Sequence, residues 1–266
     1  MSQAFDQIAA EYDVDFTESA TGKLQRNMVW HFLEKELNTT EPLKILELNC
    51  GTGEDAIWLA KKGHSVLSTD ISKEMLEVAK AKCEAAGLGK QITFSMLDIS
   101  SPGSYPDDMK FDFIFSNFGG FNCVPPEVLK EIFPKLNRLL VPNGCLTVVV
   151  MSKFCLWESI YFLAKGRFSK TFRRNRKTPL KVPVGNRMVE TWYYSPADIA
   201  HFSGAGFKTK KVQPIGFFLP PSYLDHFFSR HRKLLTTLNG LEKNISKSSF
   251  FAPFSDHYII EMEAIS

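Results

Sequence analysis

The chain has 266 residues, of which 44% are hydrophobic and 23% charged, and it carries a net charge of +3 at pH 7. This composition is typical of a globular protein with a sizeable core and excludes fibrous and disordered classes. The longest apolar stretch, 145–151, is too short to span a bilayer, and the acidic first 22 residues lack the pattern of a signal peptide. Five scattered cysteines without a C-x-x-C pair predict a reduced, cytoplasmic protein without a structural metal site.

Two helices are predicted first, over 2–12 and 20–37, and strands and helices then alternate. Each strand is a short apolar run, which is typical of strands buried on both faces. The first five predicted strands are 43–48, 64–69, 91–97, 111–116 and 144–151, and the helices between them are 54–62, 73–86 and 126–140. This order predicts an α/β fold, with a doubly wound and mostly parallel sheet.

After residue 152 the alternation stops, and it resumes at a helix with Ser195 as its N-cap that ends near Gly204. Strands at 207–213 and 257–263 bring the sheet to seven strands, with a helical segment over 222–242 between them. His231 lies on the apolar face of that segment, which predicts that it packs in the core. We expect one domain over 1–266 with two insertions, at about 152–194 and 215–256.

Polar groups suited to an adenosine-containing ligand end the first three strands. Gly51, Thr52 and Gly53 form a turn whose backbone can approach a ligand closely at a helix N-terminus. Asp70 ends the next strand and can accept from ribose hydroxyls, while Asp98 ends the third and can accept from an adenine amino group. The apolar residues beside these carboxylates can sandwich a purine: Ile71, Leu97 and Ile99.

The turn alone also satisfies the dinucleotide fingerprint, since Gly51 and Gly53 are followed by Ala56 at the third position. Glu47 favours a different cofactor, because at the mouth of the turn it would repel a pyrophosphate and attract an amino group. The helices before the first strand also differ from dinucleotide domains, which commonly begin with that strand. The sequence therefore favours a cofactor with adenosine at one end and an amino acid at the other.

Successive motifs of the chain resemble those of class I S-adenosylmethionine-dependent methyltransferases. They are 47–53, Asp70, 97–99, 111–117 and 139–144. The opening segment, 4–13, is similar to the start of the quinone-methylating subgroup. The resemblance covers roughly residues 1–151 and 195–215, in the order and spacing of the family.

The resemblance implies S-adenosylmethionine as the cofactor and assigns roles to these residues. Glu47 would hold the methionine end, Asp70 the ribose, and Asp98 with Ile99 the adenine. Asp55, in the first turn of a helix, could contact the cofactor or only complement the helix dipole.

Further residues acquire roles from the same resemblance. Asn117 and Phe118 would lie beside the transferable methyl group, and Tyr12 would close over the cofactor. The chain departs from the family at Asn49, which stands where the family has its first glycine. Asparagine tolerates left-handed backbone better than other non-glycine residues, so the turn can survive.

The expected activity is methyl transfer to a small, apolar or aromatic acceptor. Both insertions follow strands that end at the cofactor edge of the sheet, and both are rich in aromatic residues, which favours an apolar pocket. No catalytic residue is assigned, because the sulfonium leaving group is already activated and alignment can suffice. A non-catalytic cofactor-binding module is an alternative that the motifs leave open.

The basicity of the chain is local, since 165–181 holds eight basic residues and no acidic one. This run could be a solvated mobile loop, a surface for a peripheral membrane contact or an anionic acceptor, or an RNA-binding strip. An RNA methyltransferase is therefore a second alternative. It is disfavoured, because the charge is confined to one loop and no nucleic-acid-binding module accompanies it.

Overall fold

A computed structural model describes residues 2–106 and 108–265 of the chain. Its strands are β1 Lys44–Leu48, β2 Ser65–Asp70, β3 Ile92–Met96, β4 Phe111–Ser116, β5 Leu140–Met151, β6 Leu180–Val184, β7 Arg187–Thr191, β8 Phe207–Ile215 and β9 His257–Ala264. Among the described residues, seven strands form one sheet in the order β3-β2-β1-β4-β5-β9-β8, and only β9 runs antiparallel to its neighbours. The predicted doubly wound, mostly parallel α/β fold is confirmed.

Helices cover both faces of this sheet. They are α1 Ser2–Ile8, α2 Ala20–Glu36, α3 Glu54–Lys61, α4 Lys73–Ala85, α5 Pro126–Leu139, α6 Leu156–Ala164, α7 Pro196–Ser203, α8 Asp225–Phe228 and α9 Arg232–Ile245. Because side chains alternate along a strand, Ile45 of β1 faces a core shared with α2, α3 and α4, whereas Leu46 faces one shared with α5 and α7. Burial on both faces explains why the strands read as continuous apolar runs.

The direction of the strands places both insertions at one edge of the sheet. Since β5 and β8 are each antiparallel to β9, both run parallel to β1 and end at its carboxyl edge. The first insertion contains α6 and a hairpin of β6 and β7 that sequence reasoning did not predict. The second contains α8 and α9. In the part of the chain that the structure describes, no helix is both long and apolar enough to cross a membrane.

The helical segment expected over 222–242 is broken, and the predicted core position of His231 is wrong. α8 ends at Phe228 and α9 begins at Arg232, with His231 at the N-cap between them. The His231 ring is exposed and stacks on Phe227 at 4.3 Å between ring centroids. The break changes the helical phase, so that Leu235 of α9 is buried while Phe227 remains exposed.

The N-terminal helix is also shorter than predicted. α1 ends at Ile8, and the chain then forms one turn of π-helix over Asp13–Thr17. Tertiary bonds hold this second segment, since Asp13 accepts from Thr52 Oγ1 at 2.6 Å and from Lys82 Nζ at 2.8 Å. A continuous helix through residue 12 is replaced because these contacts outweigh local propensity.

Candidate functional site

The turn between β1 and α3 is built on left-handed backbone. Asn49, Gly51 and Gly53 have φ angles of 49°, 54° and 81°. A Cβ atom added at Gly53 would lie 2.8 Å from Cβ of Ala79 in α4, closer than atoms can pack. Glycine at 53 is therefore required both for the backbone conformation and for the approach to α4.

Asn49, which stands where the resembled family has its first glycine, joins the end of β1 to the end of β4. Its amide Nδ2 donates to the Asn117 carbonyl oxygen at 2.6 Å, and its Oδ1 accepts from Ser116 Oγ at 2.6 Å. A Cβ at Gly120 would lie only 2.1 Å from Asn49 Oδ1. The asparagine is accommodated because the facing residue has no side chain.

Asp70 is a buried carboxylate held in place by the backbone. Its Oδ2 accepts from the Gly51 N–H and its Oδ1 from the Ser72 N–H, both at 2.9 Å. Burial raises the pKa of Asp70, while the N–H groups of Ser72 and Gly51 oppose that shift. The side chain thus lines a cavity in a fixed orientation.

This first cavity contains most of the residues predicted for the adenosine end. Of the predicted set, it is lined by Tyr12, Asn49, Gly51, Asp70, Ile71, Leu97, Asp98, Ile99 and Phe118. Asp98 also starts a turn, since its Oδ1 accepts from the Ser100 N–H at 2.8 Å and from Ser100 Oγ at 2.6 Å. Phe5 of α1 completes the wall and was not predicted.

A second cavity adjoins the first and adds two predicted residues, Thr52 and Asn117. Its polar centre is Asp55, the residue whose role the sequence left open. Asp55 Oδ2 accepts from Arg26 Nη1 at 3.0 Å and from Asn117 Nδ2 at 2.8 Å, and its Oδ1 accepts from Trp30 Nε1 at 2.6 Å. The carboxylate therefore fixes three side chains around this cavity.

Arg26 is the functional candidate that sequence reasoning missed. Its guanidinium is 7% exposed and lines the second cavity, and its buried Nε has no hydrogen-bond partner among the described residues. Burial disfavours the charge, but Asp55 together with further acidic groups nearby offsets burial and raises the pKa of Arg26. Arg26 lies three residues before Val29 and seven before Leu33, so it shares the buried face of α2 and helical periodicity could have indicated it.

Glu47 and Gly53 are the two predicted residues that line neither cavity. Glu47 is 1% exposed. Its Oε2 accepts from Ser68 Oγ at 2.7 Å, while its buried Oε1 has no partner among the described residues. Burial and the nearby Asp55 charge raise the pKa of Glu47 well above its ordinary value.

Two aromatic side chains, Tyr12 and Phe118, form walls of both cavities. Tyr12 lines both cavities, and burial raises its pKa to about 12. Phe118 has a strained φ of 41°, and its ring packs edge-on against Phe16 at 5.3 Å and against His257 at 5.4 Å. His257, the first residue of β9, lies 3.2 Å from Asp256 through Nδ1. The strand prediction included His257 but gave no reason to place it here.

The basic run is divided between inward and outward side chains. Arg174 is buried and pairs with Glu158 at 3.1 Å and with Asp256 at 2.8 Å. Arg173 forms a two-pronged pair with Glu158. These two cations stabilise the first insertion against β9, so a uniformly solvated loop is the wrong description of 165–181. In residues 2–106 and 108–265, no three metal-binding side chains are grouped.

Comparison with known proteins finds methyltransferases that are similar to parts of this chain. A family profile described as a methyltransferase domain matches residues 45–144. The tRNA 5-carboxymethoxyuridine methyltransferase of Escherichia coli is 30% identical over 150 residues, which cover 54% of this chain and 55% of that protein. The demethylmenaquinone methyltransferase of Geobacillus kaustophilus is 29% identical over 171 residues, covering 60% and 68%. The chain thus spans about half the length of the first of these relatives.

The fold comparison extends over nearly the whole chain. An S-adenosylmethionine-dependent methyltransferase structure from Clostridium acetobutylicum superposes with a TM-score of 0.60 and 15% identity, covering 98% of this chain and 99% of that one. At this identity the likeness concerns the fold. Residues 45–144 thus match a methyltransferase domain, and nearly the whole chain shares its fold with an S-adenosylmethionine-dependent methyltransferase structure.

Proposed function

We propose that this chain transfers a methyl group from S-adenosylmethionine to a small, apolar or aromatic acceptor. The observation that carries the proposal is the pair of adjoining cavities, which share Tyr12, Asn49, Gly51 and Phe118. One cavity offers carboxylates beside apolar walls, and the other offers a buried guanidinium beside a carboxylate. These two environments complement the two ends of an adenosyl amino acid.

In this proposal the first cavity takes the adenosine. Asp70 accepts from the ribose hydroxyls, because both of its oxygens are already oriented by backbone N–H groups. Asp98 and Ile99 contact the adenine, with Ile71 and Leu97 against its faces. Carboxylate acceptors give such hydroxyls strong, charge-assisted hydrogen bonds.

The second cavity takes the methionine end. Arg26 faces the carboxylate of the cofactor, and Asp55 its amino group, with Thr52 and Asn117 beside them. The buried Arg26 Nε, which has no partner among the described residues, fits a site that a charged ligand completes. Gly53 serves the turn rather than the ligand.

When bound, S-adenosylmethionine supplies a methyl group on a positively charged sulfur, which is a good leaving group. The residues of the chain then need mainly to exclude water and to align the acceptor. Tyr12 and Phe118 close the junction of the two cavities, and the apolar Phe5 and Val124 extend the wall of the first. An apolar acceptor suits these surroundings, and the likeness to a demethylmenaquinone methyltransferase supports it.

We further propose that residues 1–266 act as one domain and that both insertions cover the acceptor. The likeness to a tRNA methyltransferase keeps RNA as the second candidate acceptor. Arg173 and Arg174 weigh against it, because their pairing with Glu158 leaves fewer cations of the basic run for phosphates. A non-catalytic cofactor-binding role is the remaining alternative.

A transfer assay with S-adenosylmethionine labelled in its methyl group separates these candidates. We expect label to enter organic-extractable products from a panel of phenols and quinols, and not bulk tRNA. Asp70→Ala should lower the rate of methyl transfer about 100-fold, because the cofactor loses two hydrogen bonds from its ribose hydroxyls to the Asp70 carboxylate. The exposed Glu84→Ala is the matched control and should retain activity. Label in tRNA alone, or in no acceptor, would contradict the proposed acceptor class.

A further inference from the structure

A surface of exposed rings and cations lies on the two insertions, and we call it the lid patch. Its rings are Phe168, Phe172, Phe250 and Phe254, and its cations are Lys165, Arg167, Lys170, Arg176 and Lys177. Phe168 is 72% exposed, Phe250 70% and Phe172 61%. Large apolar side chains grouped in this way on a protein surface mark an interaction site rather than ordinary surface composition.

Ring contacts make the patch continuous across both insertions. Phe172 stacks on Phe154 with centroids 5.8 Å apart, and Phe154 meets Phe254 edge-on at the same distance. Phe254 in turn lies 6.0 Å from Phe250. The exposed rings at residues 172, 250 and 254 thus belong to one ridge, although they are far apart in sequence.

The cations of the patch are available for an external partner. In the part of the chain that the structure describes, none of Lys165, Arg167, Lys170, Arg176 and Lys177 forms an ion pair. The sequence between Glu158 and Glu190 contains no acidic residue, and Glu158 itself is buried against Arg173 and Arg174. The patch therefore presents a positive charge that no neighbouring acidic residue of the segment offsets.

The kind of apolar residue distinguishes between anionic partners. Phenylalanine rings can stack on nucleic-acid bases as well as enter a lipid interface. Ile160 and Leu163 of α6, which leads directly into the basic run, are 51% and 47% exposed. Aliphatic side chains offer no stacking surface to bases, whereas they enter the acyl boundary of a bilayer. From these observations we propose that the lid patch docks the chain on the surface of an anionic lipid bilayer.

Docking through the lid patch would bring the two cavities close to the bilayer. Both insertions leave the carboxyl edge of the sheet, where the two cavities lie. A molecule dissolved in the bilayer would meet the chain on that side. The opposite edge carries exposed residues that make matched controls, since Lys61 ends α3, Lys90 precedes β3 and Ile265 follows β9.

Vesicle co-sedimentation of the full chain tests the docking independently of any methyl transfer. We expect binding to phosphatidylcholine vesicles containing phosphatidylglycerol to exceed binding to pure phosphatidylcholine by at least about tenfold, and to weaken with salt. Phe168→Ser with Phe172→Ser removes rings and keeps the charge. Lys170→Glu with Lys177→Glu reverses charge and keeps the rings. Each pair should lower partitioning at least about fivefold.

The controls are Lys61→Glu with Lys90→Glu, and Ile265→Ser, which should change partitioning less than about twofold. Thermal unfolding of every variant tests whether it remains folded. Equal binding to both vesicle types, or equal losses in patch and control variants, would overturn the docking. So would a wild-type chain that binds tRNA but not vesicles, which would make the patch a nucleic-acid surface.

Discussion

Asn49 and Gly120 form a pair in which the side chain of one depends on the absence of a side chain in the other. Asn49 holds the end of β4 through the Asn117 carbonyl oxygen and Ser116 Oγ. Gly120 has an ordinary helical φ of −56°, so its backbone would accept other residues. Only the distance to Asn49 restricts this position to glycine.

We therefore predict a strong coupling between these two positions. Gly120→Ala should destabilise the fold by about 1–3 kcal/mol, because the new Cβ overlaps Asn49 Oδ1. In an Asn49→Gly background the same substitution should cost less than about 0.5 kcal/mol. Urea unfolding of the four proteins measures this. Gly89→Ala, where an added Cβ meets nothing within 4 Å, is the control. Equal costs in both backgrounds would contradict the pairing.

The grouping of residues at the strand ends could be predicted, because the order of parallel strands determines which strand ends are neighbours. Asp70 and Asp98 end adjacent parallel strands, so the topology alone brings them to one cavity. Glu47 belongs to the same edge, but it is buried, accepts from Ser68 Oγ and lines neither cavity, which the strand pattern does not determine. Arg26 shares the buried face of α2 with Val29 and Leu33, but it was missed because arginine is mostly exposed in proteins.

At the scale of elements, the segment containing α1 and the π-helix is fastened over the cavities by polar contacts. Asp13 accepts from Thr52 Oγ1 and from Lys82 Nζ, and Lys82 also pairs with Glu54 at the start of α3. Asp6 accepts from Ser72 Oγ at 2.6 Å. Tyr12, which lines both cavities, lies between these two attachment points.

Loosening this segment should weaken cofactor binding without removing a ligand contact. Lys82→Met is expected to raise the dissociation constant for S-adenosylhomocysteine about fivefold, or about 1 kcal/mol, because Asp13 and Tyr12 lose a fixed position. Titration calorimetry measures the change. Lys80→Met breaks an exposed pair with Glu77 on the same helix and should leave the affinity unchanged. Identical affinities for both variants would show that the segment does not close on the ligand.

The ion-pair network of the first insertion makes a second prediction. Burial alone would raise the pKa of Asp256, but the charges of His257 and Arg174 hold it well below its usual range. Arg173 and Arg174 likewise lower the pKa of Glu158 against the effect of burial. Arg174→Met should cost about 3–5 kcal/mol at neutral pH, because it leaves buried carboxylates without a partner. The more exposed Arg173→Met should cost about 1 kcal/mol.

The loss of stability caused by Arg174→Met should decrease as the pH is lowered. Carboxylates with lowered pKa values stabilise the folded chain above their unfolded pKa of about 4 and lose that effect as the pH falls through the folded pKa. In Arg174→Met the buried Asp256 and Glu158 lose a cation that lowers their pKa values, so they are protonated at higher pH than in the wild type and the deficit should shrink in acid. Urea unfolding at pH 7 and pH 3.5 measures it. A deficit that is constant or larger in acid would rule out the ionic explanation.

Elements with a local signal could be predicted, and those fixed by tertiary contacts could not. The strands of the sheet follow from short apolar runs, and α7 from Ser195 as its N-cap. The π-helix depends on bonds to Thr52 and Lys82, and the break before α9 on the stacking of His231. The hairpin of β6 and β7 is the exception, since Leu180, Val182 and Val184 alternate with Lys181 and Pro183 before a two-residue turn at 185–186, a local signal that we did not use.

At the scale of the whole molecule, one edge of the sheet carries both cavities and both insertions. The core beneath that edge is continuous on each face, so the cavities rest on a rigid base. The N-terminal segment closes them from one side, and the insertions extend the same edge toward the lid patch. The proposed acceptor class requires that an adenosyl amino acid binds at the ends of β1, β2 and β3.

Titration calorimetry of the full chain with S-adenosylhomocysteine tests that claim most directly. We predict one site per chain, and a thermal midpoint that rises with ligand concentration because the ligand binds only the folded state. Asp70→Ala should weaken binding about 100-fold, whereas Glu84→Ala should bind as the wild type does. Absence of binding to the wild-type chain, or equal affinity in Asp70→Ala, would contradict the account.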